Sequence, residues 1–272
     1  MTMVSTDLLE KQVAKELNCM VLPATNEPAG TPLLMLHGWG QSMISLHMMG
    51  SLLQRDREIH LIDLPGFGDS DLPEAAKSKE GAWDTRKYAH VIIEYMNGKG
   101  LKTANILGHS FGGRVCLQLA AHFPDRIEKV VLMDAAGLKP HRSLAHKLRL
   151  FKIKSIGSFI RTTRSLTGEK INKKWHGWFS SKYGSTDYKS ASDMKNVLVK
   201  TVTEDQAENA KKIKHPTLLI WGENDQATPL DQAHRLKSYI ANSELLVLEN
   251  KGHMPYESLG SHLIVYHLRN WL

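Results

Sequence analysis

The stretch "ANILGHSFGGRV", Ala104 to Val115, decides how the chain is read. An apolar run, Ala104–Leu107, meets Gly108-His109-Ser110-Phe111-Gly112 and continues into "GRVCLQLAAHF". Glycine costs backbone entropy in any regular element, so Gly108 and Gly112 need a reason. A strand that turns sharply into a helix supplies one: small residues two places before and after the serine avoid clashes across the turn. Such a turn lifts the Ser110 hydroxyl to the edge of a sheet and aims the helix N-terminus at the same spot. Alone, the pattern also fits a glycine-rich turn with a serine cap; the flanking segments favour the nucleophile reading.

Working outward, short apolar runs recur at 31–38, 58–66, 103–110, 129–137, 216–225 and 243–253, each closed by glycine or a polar cluster. Near-continuous runs of this kind suit strands buried on both faces of a parallel sheet. Helical patterns lie between them. In 85–99 the residues Tyr88, Val91, Ile92, Tyr95 and Met96 share one face. The segment 112–124 ends at Pro124, 229–240 opens on Pro229 and Asp231, and 258–272 closes the sequence. Alternating strands and helices predict an α/β fold, with a mostly parallel central sheet flanked by helices. Ahead of the first buried run, only "NCMVLP" reads as a strand.

Composition is that of a globular protein, with two cysteines, Cys19 and Cys116, and no disulfide framework. Residues 1–17 lack the apolar run of a signal peptide, no stretch is long enough to span a bilayer, and a cytoplasmic location is expected. Charge is uneven. Lys139 to Lys200 holds 15 lysines or arginines against three acids, whereas the whole chain is only +7. This segment contains no strand pattern. Leu144, Leu148, Phe151, Phe159 and Ile160 fall on a helical face, so 139–210 is read as a helical insertion in a core made of 1–138 and 211–272.

A serine needs a base, and the base needs an orienting carboxylate. With 14 histidines, position must discriminate. His253 directly follows the last apolar run and Asp225 the one before it. Both therefore fall at strand C-terminal ends, on the edge that carries Ser110. Asp134, at the end of "VVLMD", is a weaker candidate acid with a turn role as its plainer reading. His37 is read as a structural histidine that fixes its loop. Asp63, Gly66 and Gly68 form a turn, and Glu249 is read as solvated. No cluster has metal-ligand spacing, and no cofactor is expected.

The pieces "LHGWGQS", "DLPGFGDSD", "GHSFGGR", "WGENDQATP" and "KGHMPYE", in this order from about Thr31 onward, resemble the α/β-hydrolase fold family, and specifically its serine hydrolase branch of esterases and lipases with a helical lid. The resemblance implies Ser110 as nucleophile, Asp225 as acid and His253 as base. It implies the backbone N–H groups of Trp39 and Phe111 as oxyanion donors, and places 139–210 as a cap over the site. Trp39, Phe111, Phe151, Phe159, Trp175, Trp178 and Met254 become substrate-pocket candidates, with simple packing as the plainer reading of Trp39 and Phe111.

The expected activity is hydrolysis of a carboxylic ester of a small acyl substrate through an acyl-enzyme. The rival within the family is carbon–carbon bond hydrolysis of ring-cleavage dienoates. That branch usually carries tryptophan after the histidine and asparagine before the serine, where this chain has Met254 and His109. A non-catalytic binding protein on the same scaffold is the rival from another class. The basic insertion is read as a solvated face, with steering of anionic substrates or contact with an acidic lipid surface second; no nucleic acid partner is expected.

Overall fold

The computed structural model describes residues 6–27, 30–139 and 191–272. In chain order the elements are α1 (Thr6–Lys15), β1 (Cys19–Leu22), β2 (Gly30–Leu36), α2 (His47–Leu53), β3 (Arg57–Ile62), α3 (Glu74–Lys77), α4 (Thr85–Gly98), β4 (Ala104–His109), α5 (Phe111–His122) and β5 (Ile127–Met133). From residue 191 onward follow α6 (Lys195–Thr203), α7 (Ala207–Lys212), β6 (Thr217–Gly222), α8 (Leu230–Tyr239), β7 (Ser243–Leu248) and α9 (Gly260–Trp271).

The apolar runs become strands because both of their faces are covered. Along β2, Leu34 and Leu36 enter one core and Leu33 and Met35 the other; Val130 and Leu132 oppose Val131 and Met133 in β5 in the same way. This period of two divides the interior into a layer on each side of the sheet. One contains Tyr88, Val91 and Ile92 of α4 and Val115 and Leu119 of α5. The other contains Met49 and Leu53 of α2 and Ile264 and Leu268 of α9. The helical face expected over 85–99 is buried in α4, whose N-terminus is capped by the Asp84 carboxylate accepting from the Lys87 N–H at 3.0 Å.

The seven described strands run in the order β1-β3-β2-β4-β5-β6-β7. All neighbours are parallel except β1, which pairs antiparallel with β3, Cys19 opposite Ile62. The strand expected in "NCMVLP" is thus the sheet's antiparallel edge. Pro32, which lacks an N–H, falls where the β2–β3 register shifts between Gly30 and Leu33. The chain moves outward from β2 to β3, then returns to β4 on the far side of β2. That reversal opens the crevice at the C-terminal strand ends where open α/β sheets bind ligands.

Helices α1 and α2 were not anticipated from the sequence. In the segment expected to be a helical insertion, the described residues form α6 and α7, and α7 runs past 210 to Lys212. The Arg114 guanidinium, from α5, donates to the Thr201 and Glu204 carbonyls at 3.0 and 3.4 Å. It thereby places positive charge at the C-terminal end of α6. The Glu204 carboxylate accepts from both the N–H and the hydroxyl of Thr85 at the start of α4. No described helix is long and apolar enough to cross a membrane.

Candidate active site

Ser110 sits at φ 48°, ψ −107°, between the end of β4 and the first residue of α5. A non-glycine residue at such angles is strained and is held by its surroundings. The Ser110 N–H donates to Met133 O at 3.1 Å, and Ser110 O accepts from the Ala136 N–H at 3.0 Å. The glycines explain themselves by distance. A Cβ on Gly108 would lie 2.4 Å from Gly112 O, and one on Gly112 would lie 2.1 Å from Leu36 O. Both positions must be bare for α5 to start this close to β2 and β4.

Three strand ends bring the expected acid and base to this serine. His253, after β7, places Nε2 3.0 Å from Ser110 Oγ and Nδ1 2.8 Å from Asp225 Oδ2, after β6. Asp225 also accepts from the Thr228 hydroxyl at 2.6 Å and from the N–H groups of Ala227 and Thr228 at 2.7 and 3.0 Å. Burial alone would raise its pKa. Hydrogen bonds from His253 and Thr228 outweigh burial and draw it down to about 2. An ionised Asp225 can only accept, so the imidazole proton belongs on Nδ1. Nε2 is then free to accept the Ser110 proton. Trp221 Nε1–H donates to Thr228 O at 2.7 Å and fastens the acid loop to the sheet.

His109 does more than its place beside the serine suggests. Its Nε2–H donates to the His253 carbonyl at 2.7 Å, and burial, with His253 nearby, lowers its pKa to about 3. It is a neutral strut under the loop that carries His253. Gln41 ties the neighbouring loop together, accepting from the Gly38 N–H at 3.0 Å and donating to the Tyr256 hydroxyl at 2.8 Å. His37 is structural, as expected: burial lowers its pKa, Nδ1–H donates to Gly38 O, and Nε2 accepts from the Leu64 N–H. Asp63 accepts from the Met43 and Asp69 N–H groups, and Gly68, at φ 55°, is bare because a Cβ would strike the Asp63 carboxylate. Glu249 is exposed.

Beside Ser110 the described residues leave a cavity of about 340 Å³, lined in part by Trp39, Phe111, Ala136, Leu138 and Leu198. Trp39 and Phe111 meet edge to face at 5.3 Å, and Phe67 packs on Trp39 at 4.8 Å. Met254 lies instead along a neighbouring depression with Met48 and Ser261, its sulfur accepting from Gln41 Nε2 at 3.2 Å. Phe151, Phe159, Trp175 and Trp178 lie outside the described residues. The Phe111 N–H falls in the first turn of α5, where amides lack intrahelical partners. Residues 31–159 match the family model described as alpha/beta hydrolase fold, and 181–272 match one described as TAP-like protein.

The chain belongs to the α/β-hydrolase fold family. It is 26% identical to Lipase 1 of Psychrobacter immobilis, covering 87% of this chain and 75% of that protein. It is 27% identical to 2-hydroxy-6-oxononadienedioate/2-hydroxy-6-oxononatrienedioate hydrolase of a Pseudomonas species, covering 71% of this chain and 69% of that one. The crystal structure of a hydrolase from Pseudomonas aeruginosa PA01 superposes with a TM-score of 0.67 at 18% identity, covering 94% of this chain and 93% of that chain. This α/β-hydrolase is therefore a hydrolase related to both the lipase and esterase branches and the carbon–carbon bond hydrolases, and a small-molecule substrate fits its fold.

Proposed function

We propose that this α/β-hydrolase cleaves a bond beside a carbonyl by a Ser110–His253–Asp225 mechanism. The observation that carries the reading is the unbroken hydrogen-bonded chain from Asp225 Oδ2 through the His253 ring to Ser110 Oγ. Ser110 attacks the carbonyl while His253 Nε2 takes its proton; Asp225 holds the imidazolium that forms. The N–H groups of Phe111 and Trp39 receive the oxyanion. Gly38 supports that choice, since its own N–H is already donated to Gln41. His253 then returns the proton to the leaving group. Water, activated by the same ring, frees the acid and restores Ser110.

This chemistry serves an ester and a carbon–carbon bond alike; in the second case the leaving group is protonated at carbon. Relatives weigh toward the carbon–carbon reading, which recurs among both the curated and the solved relatives. Lipases and esterases support the ester reading, as do Met254 and His109 at the positions where the rival branch differs. Ser110→Ala should fold like the parent and lose at least about 10³-fold in turnover. A fluorophosphonate probe should label Ser110 in the parent alone. Parent-level turnover in the variant refutes the mechanism. A panel of a p-nitrophenyl ester, a lactone and a ring-cleavage dienoate then identifies the bond.

Two secondary readings go with it. The 139–210 cap, whose described end is α6 and α7, would cover the cavity. Its basic residues would favour an acidic lipid surface, a contact also suggested by a membrane phospholipase among the fold's neighbours; salt-sensitive co-sedimentation with anionic vesicles tests this. Cys19 and Cys116 are free thiols, which supports a cytoplasmic home.

A further inference from the structure

Asp134 directly follows β5 with its carboxyl turned toward the proposed triad. It is wholly buried, and its backbone is in the left-handed region at φ 42°. The backbone is held by its neighbours: the Asp134 N–H donates to Ile220 O at 2.9 Å, and the Thr228 Oγ1 lies 3.0 Å from Asp134 O. A strained, fully enclosed residue of this kind is held in place by its surroundings, and such strain gathers at functional sites.

The donors around the two acids are shared unequally. Asp225 accepts from the His253 ring, the Thr228 hydroxyl and two backbone N–H groups. Asp134 accepts only from the Gly222 N–H, at Oδ1 and 2.9 Å, and its Oδ2 is buried without a partner. A carboxylate oxygen of each acid and a ring nitrogen of His253 all lie within 4.8 Å of one another. Two carboxylates cannot both stay ionised in one dry site. The acid with several donors keeps the charge. The acid with an orphaned oxygen takes the proton.

We propose, building on the triad reading above, that Asp134 is a positioning residue that keeps its proton at neutral pH and donates Oδ2–H to the Asp225 carboxylate. Asp225 then gains a further donor, with one negative charge in the pair instead of two. The titratable groups facing Asp134 are Asp225, His253 and Tyr256. Burial, reinforced by the contact with Asp225 and opposed by the Gly222 N–H, pushes Asp134 up to about 9.

The proton is tested without reference to catalysis. A carboxyl whose folded pKa is raised gives stability that is complete below its unfolded pKa and is lost as pH rises through the folded value. Asp134→Asn keeps an acceptor for Gly222 and a donor for Asp225, suits a positive φ, and cannot ionise. The Tm of the parent should therefore fall relative to Asp134→Asn by several degrees between pH 5 and pH 9. A Tm difference that does not change with pH overturns the proposal, whatever the enzyme hydrolyses.

Positioning is read separately. Asp134→Ala should lower kcat about tenfold with a smaller change in KM, as expected when a charge-assisted hydrogen bond is lost. Asp134→Asn should recover most of that loss and lack the parent's fall in kcat/KM above about pH 9, where Asp134 ionises. Equal loss in the alanine and asparagine variants overturns the donor role. Absence of turnover in every form, parent included, instead overturns the functional reading and leaves the Tm result standing.

Discussion

Thr228 is the residue that sequence reading did not reach and the site depends on. Its hydroxyl donates to Asp225 Oδ2 at 2.6 Å, beside the bond from His253. Thr228→Val removes a donor to a charged group, a loss worth about 1.5–3 kcal/mol. We expect kcat to fall about tenfold or more and the acid limb of kcat to move to higher pH as Asp225 becomes more basic; a pH–rate profile checks both. His109 tests the loop that carries His253. His109→Leu should lower kcat more than KM, because the His253 carbonyl loses its anchor while the cavity wall stays intact; steady-state kinetics separate the two. Ser110, Asp225 and His253 could be singled out in the sequence because each follows an apolar run directly. His109 could not, because it meets a carbonyl 144 residues away, and Thr228 could not, because its bond to Asp225, three residues back, depends on how their shared turn folds. An accepting carboxylate after a strand implies nearby donors, yet only the folded turn shows which ones.

At the scale of the element, the strand–helix turn stands or falls with Gly112. A Cβ there would meet Leu36 O at 2.1 Å, a backbone atom that cannot rotate away. Gly112→Ala should force α5 off β2 and cost about 3 kcal/mol or more, visible as a lower urea midpoint together with loss of activity. Asp84→Ala, far from the site, should cost only about 1 kcal/mol through the lost cap of α4 and leave turnover intact. The buried strands were legible because a period of two cannot be mistaken when both faces are apolar. Helix α4 was legible because its core face repeats along 14 residues. Helices α1 and α2 were not. Leu8 of α1 and Met48 of α2 are exposed, so apolar residues fall on both sides of these helices and the face blurs. The edge strand β1 is only four residues long, too short for alternation to mark.

For the molecule as a whole, acid stability follows from two groups near the site. His109 is neutral in the fold, with its pKa lowered by burial to about 3 from 6.5. Its stabilising effect is complete above pH 6.5 and is lost as pH falls toward 3. Asp225, drawn down to about 2 from 3.8, adds stability above 3.8 that is lost as pH falls through 2. Asp134, raised to about 9 from 3.8, acts in the opposite sense over the upper part of this range, so the effect of His109 is read as a difference: the Tm advantage of the parent over His109→Gln should shrink as pH falls from 7 to 3, which calorimetry checks. The charge contrast between Lys139–Lys200 and the rest of the chain was readable from composition alone, whereas the placement of Leu198 beside the Ser110 cavity is a property of tertiary packing that no periodicity encodes.

Arg114 belongs to α5, which begins directly after Ser110, and it grips the Thr201 and Glu204 carbonyls. That joint is made by backbone oxygens, which every amino acid possesses. Arg114's grip therefore does not depend on which side chains stand at 201 and 204, and a rewritten segment that ends there would keep the same mooring.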